Sequence, residues 1–513
     1  MYSSHRKPLT ALLLASTACL LHTQHATAQD ASAGSTWGGG SIFLDAIVVT
    51  STRSPTEVYE TLSGSSVITS EQLSTNYVNA KLPEILNGIP GVTTQTSADD
   101  PGVAVNLRGL QDFGRVNVLV DGARQNFQKN GHEANGTFYL DTQMLKSVDV
   151  TRGPVSSVYG SGAIGGVVSF TTIDADDLIK PDAQTGGRIR TTYDTNGPGP
   201  TVHGAAAARI GEGADLLIAG TFQDIGDYES GDGSIVDSAQ YMKSGLAKWR
   251  YKADQANAFS LSASRYTNTF DNVVTTPRET DVTTDTATAG YRFTPDSEFW
   301  DLTFKTYYTS TLFEQLQAGG GALEQSFDVQ TVGLDLFNTS RVTTGDIKHE
   351  VTYGGDVFRD DVRTVDLIGS SDDLTPSGER VAYGAFIQER LRYQSWLEVI
   401  GALRYDGYSL EDDTIKVEGS HVSPKLTVGV TPWEPVTFYA TYAEGYRAPA
   451  ITETLIDGFH PPPVVGRFFP NPELRPEIAQ TYEAGVNFRF SDLAKQGDRL
   501  GAKIGVFENN VED

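Results

Sequence analysis

The feature that most constrains the fold of this sequence is a long series of short segments in which apolar and polar residues alternate. The segments are about ten residues long, lie between turn-rich connectors, and continue from about Gly186 to the end of the chain. In TYEAGVNFRF, for example, Tyr482 and Val486 fall on one face of a strand, whereas Glu483 and Asn487 fall on the other. The series predicts antiparallel β-strands with one apolar and one polar face.

Such a series is typical of a β-barrel that spans an outer membrane, where apolar faces meet lipid and polar faces line the interior. Short connectors such as GEGAD and YQS alternate with longer ones, residues 225–239, 368–379 and 409–420, as periplasmic turns alternate with external loops. A soluble propeller would show a repeat of roughly 40 residues, and the sequence has none. We therefore predict an antiparallel transmembrane β-barrel over residues 181–513, with about fifteen strands present.

The end of the sequence suggests that strands are missing. Single-chain bacterial barrels close with an even number of strands, and the last one usually ends in an aromatic residue. Here the last predicted strand ends in NNVED. We expect the barrel to be incomplete at its C-terminus.

The start of the chain has the pattern of an export signal. A basic region precedes the apolar run Leu9–Leu21, and the triplet ATA suits cleavage after residue 28, which predicts a signal peptide over residues 1–28. Cys19, the only cysteine, lies inside this signal, so the mature chain can form neither disulfides nor Cys-bound zinc sites. The formal net charge of −26 argues against a nucleic-acid partner.

Residues 55–180 have a compact, mixed texture that predicts a small α/β domain. KLPEILNGIPGV suits a short amphipathic helix that ends at Gly88, and RVNVLVDG and SVDVTRG suit short strands. A Gly-x-Gly-x-x-Gly pattern starts at Gly160, but a β-branched run follows it instead of the helix that a dinucleotide site needs. The sequence shows no nucleophile–base arrangement, so we expect a protein that is not an enzyme.

The segments LPEILNGIPGV, VNLRGL, VNVLVDG and VDVTRGPVSSVYGSGAIGGVVSF, in this order, closely resemble the plug domain of TonB-dependent outer-membrane receptors. DAIVVTSTRS resembles a TonB box, a segment that pairs with a periplasmic energy-coupling protein by strand addition. The resemblance implies a plug inside a barrel of 22 strands when complete, preceded by an extension over residues 29–54. The residues it assigns to contact with the TonB partner are Asp45, Ala46, Ile47, Val48, Val49 and Thr50.

A second resemblance points to the branch of that family that imports heme, often taken from hemoglobin. Its members carry a FRAP box, a histidine and an NPNL box in one external loop, and a plug histidine after a DG-x-RQ strand end. The matching residues here are Tyr446, Arg447, Ala448, Pro449, His460, Asn471, Pro472, Glu473 and Leu474 in the loop and His132 in the plug. Tyr446 replaces Phe and Glu473 replaces Asn. The resemblance implies that His132 and His460 are axial ligands of heme iron, a role that suits neutral imidazole.

The sequence thus predicts a TonB-dependent receptor that imports heme, or heme taken from hemoglobin or another carrier, across an outer membrane. Its partners would be the TonB protein, the heme source and membrane lipid; heme would be its transported ligand, with no cofactor and no directly bound metal. A receptor for another iron carrier, such as a ferric siderophore, and a passive porin or adhesin are the alternatives. We expect structural roles for Arg108, Arg447, His203, His349 and His421.

Overall fold

A computed structural model of the chain describes residues 47–48, 53, 56–111, 114–129, 136–273, 277–367, 376–459, 466–495 and 498–512. Both predicted iron ligands, His132 and His460, lie outside the described residues, as does the predicted signal peptide. Of the predicted TonB box, only the backbone of Ile47 and Val48 is described. No helix in the described ranges is long and apolar enough to cross a membrane.

The N-terminal part of the described chain consists of short strands and short helices. The elements are β1 Ile47–Val48, β2 Thr56–Glu57, β3 Gly64–Ile68, α1 Ser70–Thr75, α2 Leu82–Asn87, β4 Val92–Gln95, β5 Ala104–Leu107, β6 Leu110–Gln111, β7 Val116–Val120, β8 Ala123–Arg124, β9 Leu145–Arg152, α3 Ser156–Tyr159 and β10 Gly166–Thr172. Two 3₁₀ turns, Thr142–Met144 and Ala175–Asp177, complete this part.

A five-stranded sheet in the order β3-β9-β10-β7-β8 forms the centre of the plug. β10 runs parallel to β7, and the other neighbouring strands are antiparallel. The amphipathic helix α2 buries Ile85 and Leu86 completely in a core that also contains Val148 and Val150 of β9. The helix ends at Gly88, as its sequence predicts. The predicted α/β plug is therefore confirmed.

The rest of the described chain is almost entirely strand. The elements are β11 Thr185–Asp194, β12 Gly199–Ile210, β13 Ala214–Ile225, β14 Tyr228–Glu229, β15 Ile235–Val236, β16 Gln240–Lys252, β17 Asn257–Val273, β18 Pro277–Phe293, β19 Leu302–Gln317, β20 Leu323–Thr344, β21 Ile347–Asp366, β22 Gly378–Tyr393, β23 Leu397–Glu411, β24 Lys416–Trp433, β25 Val436–Arg447, α4 Ile451–Thr454, β26 Gly458–Phe459, β27 Arg467–Phe468, β28 Glu477–Ser491 and β29 Arg499–Glu512.

Fifteen of these strands form one antiparallel sheet whose spatial order follows the chain from β11 to β29. Only the small hairpins β14-β15 and β26-β27 stand apart from it, in the connectors. The two faces differ as predicted: Tyr482 is 54% exposed on the outer face, whereas its neighbour Glu483 is 8% exposed on the inner face. The prediction of an antiparallel barrel wall with about fifteen strands is confirmed.

One predicted long loop is mostly strand. SLEDDTIKVEGS, residues 409–420, extends β23 and β24, and only the four residues 412–415 connect them. The pairing continues because Leu410 and Val417 are cross-strand partners, and both side chains are buried inside the barrel. The turn-like composition therefore marks the tip of a long hairpin, and the prediction of a long loop at this position was wrong.

The plug meets the wall through polar contacts and a sizeable cavity. Lys248 of β16 lies 3.1 Å from the Asp121 carboxylate, and the ammonium of Lys305 in β19 donates to the Asp121 carbonyl at 2.8 Å. Beside these groups, a cavity of about 600 Å³ separates the plug sheet from β16–β21. The contact between plug and wall thus includes discrete ion pairs and hydrogen bonds.

Candidate ligand-binding site

The first loop motif, Tyr446 to Pro449, docks directly on the plug. The carbonyl of Tyr446 accepts a hydrogen bond from the Gly162 amide at 3.0 Å, and the Ala448 amide donates to the Ser161 hydroxyl at 2.9 Å. The Pro449 carbonyl accepts from the buried Arg380 at 3.4 Å. The base of the loop is therefore fixed to the plug turn that follows α3.

Arg447 holds the two ends of the loop together. It is 4% exposed, and one of its terminal nitrogens lies 2.7 Å from both carboxylate oxygens of Glu453 in α4. Its other terminal nitrogen lies 3.2 Å from Glu477, where β28 begins. Glu477 also forms a two-point ion pair with Arg115 of the plug, with a Nε–Oε2 distance of 2.9 Å. Arg447 thus has the structural role expected for it.

The second motif, Asn471 to Leu474, forms a turn that packs back on the first. The Asn471 side-chain oxygen accepts from the Glu473 amide at 3.2 Å, and the Asn471 carbonyl accepts from the Leu474 amide at 3.2 Å. The Asn471 amide donates to the Thr454 carbonyl at the end of α4, at 2.8 Å. The motif therefore closes the loop against the helix that Arg447 holds.

A two-stranded hairpin flanks the position of His460. Gly458 pairs with Phe468, and Phe459 pairs with Arg467. His460 follows Phe459 directly in the sequence. The predicted iron ligand is therefore the residue that follows the first strand of this pair in the sequence.

The plug segment that precedes His132 in the sequence is anchored on the barrel wall. The Asn126 amide donates to Asp360 of β21 at 3.0 Å, and the Gln125 amide donates to Thr286 of β18 at 3.4 Å. The ammonium of Lys129 lies 4.6 Å from the ring centre of Phe313. Phe313 and the plug residue Phe127 belong to a large cluster, rich in aromatic residues, that the plug and the wall share. The described end of the segment is thus fixed to the wall by polar contacts and by apolar packing.

The other histidines outside the predicted signal make local contacts. His203 is fully buried and hydrogen-bonded to the Thr221 hydroxyl at 2.9 Å, and His349 lies 2.7 Å from Glu389. His421 lies 3.3 Å from Glu444, and its ring stacks on Tyr446 with 5.7 Å between the ring centres. Hence His421 supports the first loop motif from the side.

Arg108 pairs with the wall, as expected. Its guanidinium lies 2.7 Å from Glu483 of β28 and over the ring of Phe507 at 4.1 Å. Arg108 has a positive φ of 55°, a conformation that is uncommon for a side chain with a Cβ. These contacts fix the plug loop between β5 and β6 against the barrel.

The predicted TonB box lies next to a buried arginine. The backbone of Ile47–Val48 pairs antiparallel with Thr56–Glu57. Arg53, between these strands, forms an ion pair with Asp335 of β20 and donates to the Val158 carbonyl of α3 at 2.9 Å. Arg53 is therefore in contact with both α3 and the wall.

Sequence reasoning missed Arg53, Arg115, Glu477 and Arg467 as parts of the site. Their partners are distant in sequence or depend on the hairpin register, and no local motif marks them.

The chain is similar to known families over most of its length. Residues 57–167 match the family described as "TonB-dependent Receptor Plug Domain". Residues 222–513 match the family described as "TonB dependent receptor-like, beta-barrel".

Individual relatives cover nearly the whole chain. The chain is 29% identical to a protein named "Hemin receptor" from Yersinia pestis, over 91% of this chain and 71% of the relative. It is 30% identical to the "Hemin receptor" of Yersinia enterocolitica, over 91% of this chain and 69% of the relative. Among solved structures, it is similar to the hemophore receptor HasR of Serratia marcescens, in complex with its hemophore HasA and heme, with 29% identity and a TM-score of 0.82 over 88% of this chain and 74% of that one.

Proposed function

Since the chain belongs to the family of TonB-dependent receptors, we propose that it binds heme outside the cell and imports it into the periplasm. Receptors of this family lie in the outer membrane of Gram-negative bacteria, and this chain is one of them. The proposed activity is transport, in which no covalent bond of the ligand is made or broken. The observation that carries the ligand assignment is the similarity, over 91% of the chain, to two proteins named as hemin receptors.

The proposed site lies between the plug and the external loop. His132 would bind heme iron from the plug and His460 from the loop, since imidazole is a common axial ligand. The contacts of Arg447, Glu453 and Glu477 support this arrangement because they fix both ends of the loop relative to the plug. A loop with a fixed base loses less conformational entropy when a ligand orders it. Hemoglobin, or another protein that carries heme, is the proposed source of the ligand.

The proposed partner inside the cell is the periplasmic TonB protein, which would pair with Asp45–Thr50. The backbone of Ile47–Val48 is already paired with Thr56–Glu57, so strand addition would replace an existing pair or extend the same small sheet. Arg53 would transmit the force exerted by the partner to α3. The ligand loop contacts the turn that follows α3. The partner would in this way act on the plug below the ligand.

Deletion of residues 45–50 tests whether the import is energised. The variant should bind hemin as the wild type does, because none of the residues proposed to bind heme lies in the deleted segment. Heme-dependent growth and uptake of labelled heme by cells should both be lost. Uptake at the wild-type rate would instead indicate a passive pore and reject the proposal.

A further inference from the structure

Two exposed phenylalanines flank a guanidinium on the hairpin that carries His460. Phe459 is 63% exposed and Phe469 is 65% exposed. The guanidinium carbon of Arg467 lies 5.5 Å from the ring centre of Phe459 and 4.9 Å from that of Phe469. Most exposed large apolar side chains of the described wall belong to strands, where they face lipid. These three residues, called here the Phe-Arg-Phe patch, lie in an external loop, where exposed aromatic rings indicate a binding surface.

The arginine of the patch is only loosely engaged within the protein. Its Nε and one terminal nitrogen lie 3.4 and 3.2 Å from the same oxygen of Asp457, which also accepts the Gly458 amide at 2.7 Å. Both side chains of the Arg467–Asp457 pair are nearly half exposed. Exposed pairs of this kind contribute little to stability, so Asp457 can be displaced by a better acceptor. A two-oxygen carboxylate that matches the guanidinium fork is such an acceptor.

The acidic character of the chain makes a positive group useful to an anionic ligand. The formal net charge of the chain is −26 at pH 7. Heme carries two carboxylates at one edge of a flat aromatic ring, so a cation that meets this edge would offset its repulsion by an acidic protein.

On the basis of the proposed function, we propose that the Phe-Arg-Phe patch binds the carboxylate edge of heme, with Arg467 paired to a propionate and a phenylalanine ring against the macrocycle. The occupant is the free heme edge and not the surface of a carrier protein, because Phe459 of the patch directly precedes the predicted iron ligand in the sequence. Arg467 is thus a specificity residue that favours porphyrins with free carboxylates. The guanidinium would exchange Asp457 for the ligand when heme arrives.

A comparison of hemin with hemin dimethyl ester distinguishes recognition of the carboxylates by Arg467 from binding of the ring and the iron. The ester keeps the ring and the iron but has no free carboxylate. Titrations of the purified receptor in detergent should show that the wild type binds hemin about tenfold more tightly than the ester, as expected for one charge-assisted hydrogen bond. Arg467→Gln should bind the ester as the wild type does and should lose the preference for hemin, whereas Arg467→Lys should keep part of it.

Two further variants serve as controls. Arg265→Gln removes another exposed arginine paired with an aspartate, Asp285, at 2.7 Å, and should keep the full preference. Asp457→Asn removes the internal competitor and should increase the preference for hemin. The proposal would be overturned if Arg467→Gln lost affinity for hemin and for the ester equally, or if its preference for hemin were unchanged. It would also be overturned if the substitution affected only heme delivered by hemoglobin.

Hemin binding by the wild type and by Arg467→Gln shows whether this inference or the proposed function is wrong. If the wild type binds neither hemin nor its ester, both the proposed function and this inference are wrong. If the wild type binds hemin and Arg467→Gln discriminates as strongly as the wild type, the receptor still takes heme and only the role of the patch is rejected.

Discussion

At the scale of single residues, the structure explains groups whose roles their sequence neighbourhoods do not reveal. The contact partner of Arg53 in the wall, Asp335, is 282 residues away in sequence. Such a pair depends on the position of the plug inside the barrel, which no local pattern encodes. By contrast, the structural roles of Arg108 and Arg447 were predictable, because arginines that face a barrel interior need carboxylate partners.

The buried hydroxyl of Tyr446 lowers the stability of the protein, whereas the phenylalanine that is usual in the family has no hydroxyl at this position. The side chain is fully buried, and its oxygen has no hydrogen-bond partner among the described residues. An unsatisfied buried hydroxyl costs about 1–3 kcal/mol. Tyr446→Phe should therefore raise the unfolding free energy of the receptor, measured by denaturant titration in detergent.

Tyr439→Phe is the matched control for this substitution. The Tyr439 hydroxyl donates to the Glu483 carboxylate at 2.8 Å inside the same barrel. Loss of this charge-assisted bond should lower the unfolding free energy by about 1.5–3 kcal/mol. Equal destabilisation by both substitutions would show that the Tyr446 hydroxyl is satisfied after all.

The Asp121 carboxylate makes the plug–wall contact sensitive to acid. Burial opposes ionisation, but Lys248 and the amide and hydroxyl of Thr172 outweigh it, so the pKa lies below its ordinary value of 3.8. A lowered folded-state pKa stabilises the protein above about pH 3.8, and this stability is lost as pH falls through the folded-state value.

Asp121→Asn tests this contribution without changing the backbone, because asparagine also tolerates the positive φ of 49°. Hydrogen exchange of β10 should be faster in the variant than in the wild type at neutral pH, and the difference should shrink below about pH 3.8. A difference that is constant with pH would contradict the assignment.

At the scale of elements, alternation predicted strands well and connectors less well. Period-two segments identified the wall because each strand has one lipid face and one interior face. Residues 409–420 were assigned to a loop because Asp412, Asp413 and Gly419 suggest turns. The structure extends the hairpin instead, since Leu410 and Val417 bury each other inside the barrel. Composition alone cannot separate a long loop from the tip of a long hairpin.

The external loop depends on an alternating chain of charges, Arg115–Glu477–Arg447–Glu453. Glu477, at the start of β28, is the centre of this chain of charges. It pairs with Arg115 of the plug, and it also pairs with Arg447, which lies at the other end of the loop. Glu477→Gln removes the charge and should weaken the anchoring by about 1–3 kcal/mol. We expect faster hydrogen exchange in residues 448–459 and weaker hemin binding.

Glu418→Gln controls for the loss of a carboxylate at the outer end of the barrel. Glu418 lies 2.7 Å from Lys416, and both side chains are exposed, so the change should have little effect. If Glu477→Gln also leaves exchange and hemin binding unchanged, the charged chain does not hold the loop.

At the scale of the whole molecule, a plug inside a barrel brings residues that are distant in sequence into one cluster, such as Phe127 of the plug and Tyr446 of the first loop motif. The motif order and the alternating strands were sufficient to predict this architecture. The contacts that hold the loop on the plug were not predictable, because they depend on which wall strands face which plug turns. The central claim is that iron sits between one imidazole from the plug and one from the loop.

Titration of the purified receptor with hemin, followed by absorbance and electron paramagnetic resonance, tests that claim most directly. The wild type should give a shifted Soret band and a low-spin ferric signal, as two imidazole ligands produce. His132→Ala and His460→Ala should each bind more weakly and become high-spin, while His349→Ala, which alters a histidine paired with Glu389, should match the wild type. A double variant His132→Ala/His460→Ala that keeps the low-spin spectrum and the wild-type affinity would contradict the account.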